Sequence, residues 1–600
     1  MKNLAERRAS TPTPKPIAGA VPSSPERHRL DSGLVPQSTS LVGTLTHQLS
    51  LWGVEEAFGV SGGAVALLFD SIAGSPIRLR HFRHETGAAF AACEAYFATD
   101  RPAVVFATTG PGLLNALTGM TAARWEGAKV ILISGHTNTA QRGRWATQET
   151  SSYTLPQDAL YAKSPLFDYA VRLESAAELP EVLRRLAAGL SRPAGFVSHI
   201  CLPMSVQSSR VERPPRVPAM RTASPSICRA EIAEIASLLR REPFAIWVGF
   251  GASRASEQVR ELVERSGARV FASPRAKGIV SEKHPFYLGV TGLGGHDSVA
   301  AYMTQERPRW TLVLGTRLGE ATSFWDRDLL PSEGLIHVDI DPEVPGTAFP
   351  DFPTVAVHAE IGAFLDTLLD HFPHHPKGGS ITKVLPFGEV VPKGLQGRGS
   401  VRPRVLMESL QRVVVEKTDA ILLSECGNAF AWCNHYLRFS QPGRYRVSTL
   451  FGSMGHTATG VVGASLASGK KAVAVVGDGS MLMSFEISTA AQYGARAVWI
   501  VLNDAAYGMC RDGHQALGLT TKQTAIPRVD FVAWSRAMGA GGAKIDSEDM
   551  VEEVLEQAMG ADGPFVVDVH IDPTEASPLL RRFESLIQQG NSKNVAGWER

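Results

Sequence analysis

Two apolar runs along the chain each end on a polar tip. One is Lys471-Ala472-Val473-Ala474-Val475-Val476-Gly477-Asp478-Gly479-Ser480, and the other is Ala497-Val498-Trp499-Ile500-Val501-Leu502-Asn503-Asp504. Between them Leu482, Phe485, Ile487 and Ala490 recur at roughly helical spacing, which predicts a helix over 481–493. Strand, glycine turn, helix and strand, with unbroken apolar runs, is the pattern of buried parallel strands. Ligands of such sheets bind beyond the carboxyl ends of the strands, so Asp478 and Asp504 are expected to face one crevice. Gly477 and Gly479 let the backbone turn closely, and the N–H groups opening at Ser480 suit an anion. Two hard oxygen ligands beside such a turn describe a seat for Mg²⁺ and a diphosphate.

The alternation recurs through the rest of the chain. Thr44–Trp52 and Thr86–Phe97 read as helices. Ile77–Phe82, Ala103–Ala107 and Val130–Ile133 read as strands, and Val54–Val60 leads into the turn Ser61-Gly62-Gly63. Ala245–Gly249, Thr311–Gly315, Ile336–Pro342 and Ala420–Leu423 are further strand-like runs. The expected fold class is α/β, with three doubly wound parallel-sheet domains over 41–205, 228–372 and 401–585. Proline-rich 203–227 and Pro/Gly/Lys-rich 373–400 are expected linkers. Residues 1–40, rich in Pro, Ser, Thr and Arg, read as a disordered tail whose prolines fit poorly with an amphipathic targeting helix.

Composition narrows the function classes. At 44% apolar and 20% charged, with a formal net charge of +1, the chain offers no strong field for nucleic acid or a membrane surface. No apolar run approaches the length of a membrane span. Cysteines 93, 201, 228, 426, 433 and 510 form no Cys-x-x-Cys pair, which argues against a zinc site or disulfide framework and suits a reducing, cytoplasmic setting. Gly463–Lys471 has the look of a phosphate loop but is rejected: it is one residue too long, ends in Lys471 where Ser or Thr is needed, and precedes its strand.

Gly477-Asp478-Gly479-Ser480, the spacer after it and the strand ending Asn503-Asp504 resemble the cofactor signature of thiamine diphosphate (ThDP) enzymes. The closest likeness is to the acetolactate synthase and pyruvate decarboxylase group, above all the acetolactate synthase large subunit, from about Leu41 to Leu580. The resemblance implies a pyrimidine-binding, a central and a diphosphate-binding domain, in that order. It implies that Asp478, the Asp504 side chain and the Ala506 carbonyl hold Mg²⁺. Gly427, Asn428, Gly479, Ser480, Tyr507, Gly508 and Met509 would then hold the cofactor. In Phe451-Gly452-Ser453-Met454-Gly455-His456, the Gly452 carbonyl would accept the cofactor's amino group and Met454 would wedge between its rings. Many relatives carry Asn-Asn where this chain has Asn503-Asp504, an extra negative charge that magnesium accepts readily.

Glu85 lies in Arg83-His84-Glu85-Thr86-Gly87-Ala88-Ala89, where a strand gives way to a helix. Position alone equally suits a glutamate favoured by a helix N-terminus. With Thr108-Thr109-Gly110-Pro111-Gly112-Leu113-Leu114-Asn115 following, the resemblance implies the catalytic acid that shares a proton with the aminopyrimidine ring. Gly110-Pro111-Gly112 reads as part of the active-site wall or, nearly as readily, as a tight connection. His84, Gln148, His456, Asp512 and His514 are substrate-facing candidates; for the loop of Gln148, Glu149 and Lys163 a plain solvated surface is the alternative. His456 and Gly513 stand where bulky apolar and aromatic side chains are usual, so the donor chemistry looks retained and the acceptor pocket altered. Gly249-Phe250-Gly251-Ala252-Ser253 and Gly315-Thr316-Arg317 are compatible with FAD, and equally with glycine-rich strand ends that bind nothing.

The implied reaction is decarboxylation of a 2-oxo acid, pyruvate by default, with transfer of the acyl unit to a second carbonyl. A non-ligating decarboxylase and a catalytically retired regulatory subunit are the alternatives. The implied partners are these small molecules and further copies of the chain. They would form a homodimer or homotetramer in which Glu85 of one subunit serves the metal site of another.

Overall fold

Every strand pairing within the three large sheets is parallel. The computed structural model describes residues 39–150, 157–212, 216–220, 228–373, 400–519, 523–579, 582–585 and 587. Each sheet has six strands. In the N-terminal lobe the order is Arg78–His81, Glu56–Gly59, Ala103–Ala107, Lys129–His136, Phe196–Pro203, Tyr169–Arg172. In the C-terminal lobe it is Tyr445–Val447, Ile421–Ser424, Ala472–Gly477, Ala497–Asn503, Phe565–His570, Gly541–Ile545. Numbered within each lobe, both read 2-1-3-4-6-5, so the two are built to one plan. The central sheet runs Tyr287–Val290, Arg269–Ala272, Ala245–Val248, Trp310–Leu314, Gly334–Asp339, Thr354–His358, the 3-2-1-4-5-6 order of dinucleotide-binding folds. Ala472–Val476 and Ala497–Leu502 are buried at every position, because helices cover both faces of the sheet.

The outer lobes meet through helices Glu85–Thr99 and His456–Ser468. Small residues permit the approach: a Cβ on Gly463 would lie 2.1 Å from the Ala91 carbonyl oxygen. A buried ionic cluster joins all three lobes. Arg446 pairs with Glu94 (3.1 Å), Arg275 pairs with Glu126 (2.9 Å), and both guanidinium groups lie against Phe97 and Phe250. Burial would raise the Glu94 carboxyl, but Arg446 and His456 hold it well below the usual carboxylate range. Arg446→Met strands Glu94 in the interior and is expected to cost about 3–5 kcal/mol, read as a fall in Tm. In the parent protein the depressed Glu94 stabilises the fold above the ordinary carboxylate pKa, and this contribution is lost as pH falls toward its folded value.

Three expectations change. The helix predicted over 481–493 is two pieces, Asp478–Met481 and Ile487–Tyr493, with Leu482, Met483 and Phe485 exposed between them. The break lets Glu486 turn its carboxylate into the N-terminal lobe, a tertiary contact that overrides local periodicity. The expected linker over 203–227 begins with the short helix Met204–Gln207, and Arg210–Val211 then pairs antiparallel with Thr39–Ser40. Those two residues are therefore a strand rather than the end of a tail. Residues 1–38 and 374–399 lie outside the described residues.

Candidate active site

In the C-terminal sheet the order in which parallel strands are added reverses between Ile421–Ser424 and Ala472–Gly477, and the chain beyond those two strand ends carries Gly427-Asn428 and Asp478. A crevice at such a reversal is where doubly wound sheets bind ligands. Asp478 is buried; its Oδ1 accepts the Gly479 N–H at 2.7 Å and its Oδ2 the Ala506 N–H at 3.3 Å. Ala505, at φ 55°, turns the chain so that Ala506 reaches this carboxylate. Ala506 bridges Ala525 through the Tyr507 N–H and the Ala505 carbonyl, leaving the Ala506 carbonyl out of that bridge. Burial pushes the Asp478 carboxyl up to about 6, and the nearby Asp504 charge adds to the shift. Burial also raises Asp504, opposed by Arg511, whose guanidinium lies 2.7 Å from Asp504 Oδ2. Arg511 also pairs with Asp512 at 3.0 Å, and Asp512 Oδ2 accepts the Asn428 amide at 2.8 Å and the Ser577 hydroxyl at 3.2 Å.

This donor set fits a divalent cation and a diphosphate. Two carboxylates that disfavour each other's ionisation gain from a cation between them. The buried Asn428 Oδ1 has no hydrogen-bond partner among the described residues. The glycines around the seat sit in close quarters. A Cβ on Gly508 would come within 3.1 Å of both the Asn428 amide and Asp504 Oδ2, and one on Gly479 would meet the Tyr507 ring at 2.6 Å. The Met454 methyl lies 3.5 Å from that same Gly479 position, so Met454, Gly479 and Tyr507 form one wall. Gly452 at φ 59° and Gly455 at φ 85° shape the turn holding Met454. Ser480 is buried beside Asp478, and Met509 packs against the core of this lobe.

Two residues without an assigned role in the sequence reading anchor the seat. Glu425 Oε2 accepts the N–H groups of Gly455, Thr457 and Ala458 at 3.1, 3.1 and 3.2 Å, fixing the Met454 turn to the end of the first strand. Arg511 balances the charge that Asp504 adds. A basic residue seven positions after an unusual acid was the available signal.

The N-terminal lobe assembles a second cluster. Glu85 opens its helix, is 7% exposed, and accepts the Asn115 amide at 3.1 Å. Gly112 leaves room for it, since a Cβ there would lie 2.9 Å from Glu85 Oε1. Gly110, at φ 58°, lies against Gln148, where a Cβ would be 2.5 Å from the Gln148 carbonyl oxygen; Thr109 donates to that oxygen at 3.2 Å. Glu85, the 110–112 loop and Gln148 thus form one wall, with the Gln148 side chain exposed. Lys163 is exposed, and Glu149 accepts the Gly143 N–H at 2.6 Å. His84 caps the Glu85 helix, its Nδ1 accepting the Thr86 N–H at 3.2 Å.

The remaining substrate candidates separate. Asp512 belongs to the Arg511 network, and His514 follows on the same helix, Gly508–Ala516, with a buried Nδ1 that has no hydrogen-bond partner among the described residues. His456 lies in the lobe interface at 2% exposure, 2.9 Å from Glu94 and stacked on Phe90 at 4.7 Å. Its stacking on a residue of the other lobe is a contact that spacing does not encode. Cys93, Glu94 and His456 offer ligand atoms within 4.8 Å of one another, but Arg446 already neutralises Glu94 there.

Two lobes of one plan, one bearing a carboxylate pair in a glycine cradle and the other a buried glutamate, define a ThDP-dependent enzyme. The chain matches the N-terminal TPP binding domain of thiamine pyrophosphate enzymes over residues 41–155, the central domain over 232–368 and the C-terminal TPP binding domain over 425–569. It belongs to this family and is similar to acetolactate synthase. It is 29% identical to the acetolactate synthase large subunit of Mycobacterium tuberculosis over 550 residues, covering 86% of this chain and 85% of that one. It is 29% identical to acetolactate synthase of Mycobacterium avium (89% and 87% covered) and 26% identical to the large subunit of acetolactate synthase isozyme 1 of Escherichia coli (88% and 94%). No described helix is long and apolar enough to cross a membrane.

Proposed function

We propose that the protein is a ThDP- and Mg²⁺-dependent carboligase that decarboxylates a 2-oxo acid, pyruvate by default, and transfers the acyl unit to a second carbonyl compound. The observation that carries this reading is the carboxylate pair Asp478 and Asp504, seated with Ala506 at the reversal point of the C-terminal sheet. These three residues would hold Mg²⁺, with Gly427, Asn428, Gly479, Ser480, Gly508 and Met509 around the diphosphate. The bound cofactor supplies the nucleophilic carbon and the electron sink that decarboxylation of a 2-oxo acid requires. Glu85 then holds and exchanges a proton at the pyrimidine ring nitrogen, oriented by Asn115. Met454 and Tyr507 set the shape of the cleft.

Glu85 and the aspartate pair lie on different lobes, and each is flanked by exposed apolar side chains: Leu114 near Glu85, and Leu482, Phe485 and Tyr507 near the seat. A second copy covering these surfaces would bring Glu85 of one subunit to the seat of the other, giving a homodimer or a homotetramer built from two such dimers. In the central lobe, a cavity of about 540 Å³ reaches to the outer lobes and includes Gly251, Arg254, Gly315, Arg317 and Asp339. Its size and the 3-2-1-4-5-6 strand order support an adenine dinucleotide such as FAD, and the visible absorbance of the purified protein tests this.

Mass analysis of products from pyruvate, ThDP and Mg²⁺ tests the main reading. Acetolactate is expected. Acetaldehyde would favour the non-ligating decarboxylase, and no product from any 2-oxo acid would favour a retired subunit.

A further inference from the structure

The strand-to-helix junction that carries Glu85 is held from the opposite lobe. Glu486 is 1% exposed; its Oε1 accepts the His84 N–H at 3.2 Å, and both its oxygens lie 3.3 Å from the Arg83 nitrogen. The Thr489 hydroxyl donates to the same carboxylate. A Cβ on Gly87 would come 2.8 Å from Glu486 Oε1, so the first turn of the Glu85 helix is shaped to admit it. The helix Ile487–Tyr493 extends the grip: Arg83 donates to Ser488 Oγ at 3.0 Å and Gln492 Oε1 at 2.7 Å, and the His81 N–H donates to the Tyr493 hydroxyl at 2.8 Å.

We propose that Glu486 is a positioning residue for Glu85, fixing the backbone from which the catalytic carboxyl projects while Asn115 fixes its head. This rests on the reading that Glu85 works at the cofactor. The N–H groups of Arg83 and His84 immediately precede the helix, and left unpartnered in this interface they would tilt or fray its first turn. A proton-sharing carboxyl tolerates little displacement; about 1 Å can cost about 10²-fold in rate. Glu486 also lies only eight residues past Asp478, so one short segment carries the metal-binding carboxylate at one end and the clamp on Glu85 at the other. In the proposed oligomer those two ends serve different active sites.

A purely structural strut between lobes would lower stability and activity together, and positioning predicts a different pattern. In the holoenzyme reconstituted with ThDP and Mg²⁺, Glu486→Ala is expected to lower kcat about 10–100-fold, with KM for the 2-oxo acid and the ThDP affinity within about twofold of the parent. Glu486→Gln, which keeps one acceptor oxygen, should restore most of kcat. On a Glu85→Gln background, Glu486→Ala should cost no further activity, because the two act as one unit. In cofactor-free protein, Glu486→Ala should speed hydrogen exchange at the Arg83 and His84 amides. An unchanged kcat, losses that multiply with Glu85→Gln, or no rescue by Gln would overturn the proposal. If Glu486→Ala does not fold, Gly87→Ala, whose Cβ would crowd Glu486 Oε1, decides it by the same kcat-against-KM split. Full turnover in Glu85→Gln alone would instead sink the functional reading, leaving the amide exchange to judge the clamp.

Discussion

Glu85→Gln is expected to lower kcat for CO₂ release from the 2-oxo acid about 10²–10⁴-fold, while ThDP and Mg²⁺ still bind. The magnitude is that of a positioned acid–base group, and the variant keeps the shape of the side chain while removing its exchangeable proton. The buried setting sharpens the effect, because Asn115 is the hydrogen-bond partner of the Glu85 head and water has little access to substitute for it. Steady-state CO₂ release together with ThDP titration by intrinsic fluorescence separates loss of chemistry from loss of binding. Unchanged turnover would remove Glu85 from the mechanism.

Asp478→Asn is expected to weaken Mg²⁺-dependent ThDP binding by about 100-fold, since in the proposed site it replaces a charged carboxylate ligand with a neutral amide that presents a single, weaker oxygen. The same change should raise the Tm of the cofactor-free protein near neutral pH. The sign follows from the raised pKa. Burial and Asp504 push Asp478 up to about 6, so the stability this group contributes is present below the ordinary carboxylate pKa and lost as pH rises through about 6. At neutral pH the parent therefore holds an ionised carboxylate pair at a cost, which the neutral amide relieves. Mg²⁺ with ThDP should raise the parent's Tm strongly and leave that of the variant nearly unmoved, as differential scanning calorimetry would show. Mixing Asp478→Asn with Glu85→Gln subunits under conditions that allow exchange tests the shared site. If each site draws on two chains, a random mixture should recover activity in about one site in four; no recovery would place both residues in the same subunit's site.

Particular residues show how far one-dimensional reading reaches. The runs 472–476 and 497–502 were legible because a strand buried on both faces must be apolar throughout, and that pattern is local. The glycine at 479 was legible as a close turn, and the structure supplies what it approaches, the Tyr507 ring; what crowds Gly508, the Asn428 amide and Asp504, only the structure shows. His456, a substrate-facing candidate in the sequence, shows the opposite case. Its surroundings are Glu94 and Phe90, more than 350 residues earlier in the chain, and no spacing rule encodes a contact across two lobes. Leu482 and Phe485 misled in the same way: their helical spacing holds, but the helix stops at Met481 so that Glu486 can cross to the other lobe.

By itself, then, the sequence determined the parallel α/β character and the acidic strand tips, consequences of short-range periodicity and turn chemistry, while the candidate acid at position 85 followed from the resemblance to ThDP enzymes. Only the tertiary structure decided that two lobes share one strand order, that Arg511 balances Asp504, and that Glu425 and Glu486 hold the turns on which the chemistry rests. The physical reason is that a carboxylate's role follows from which N–H groups and charges surround it once water is excluded, and folding gathers those partners from distant parts of the chain.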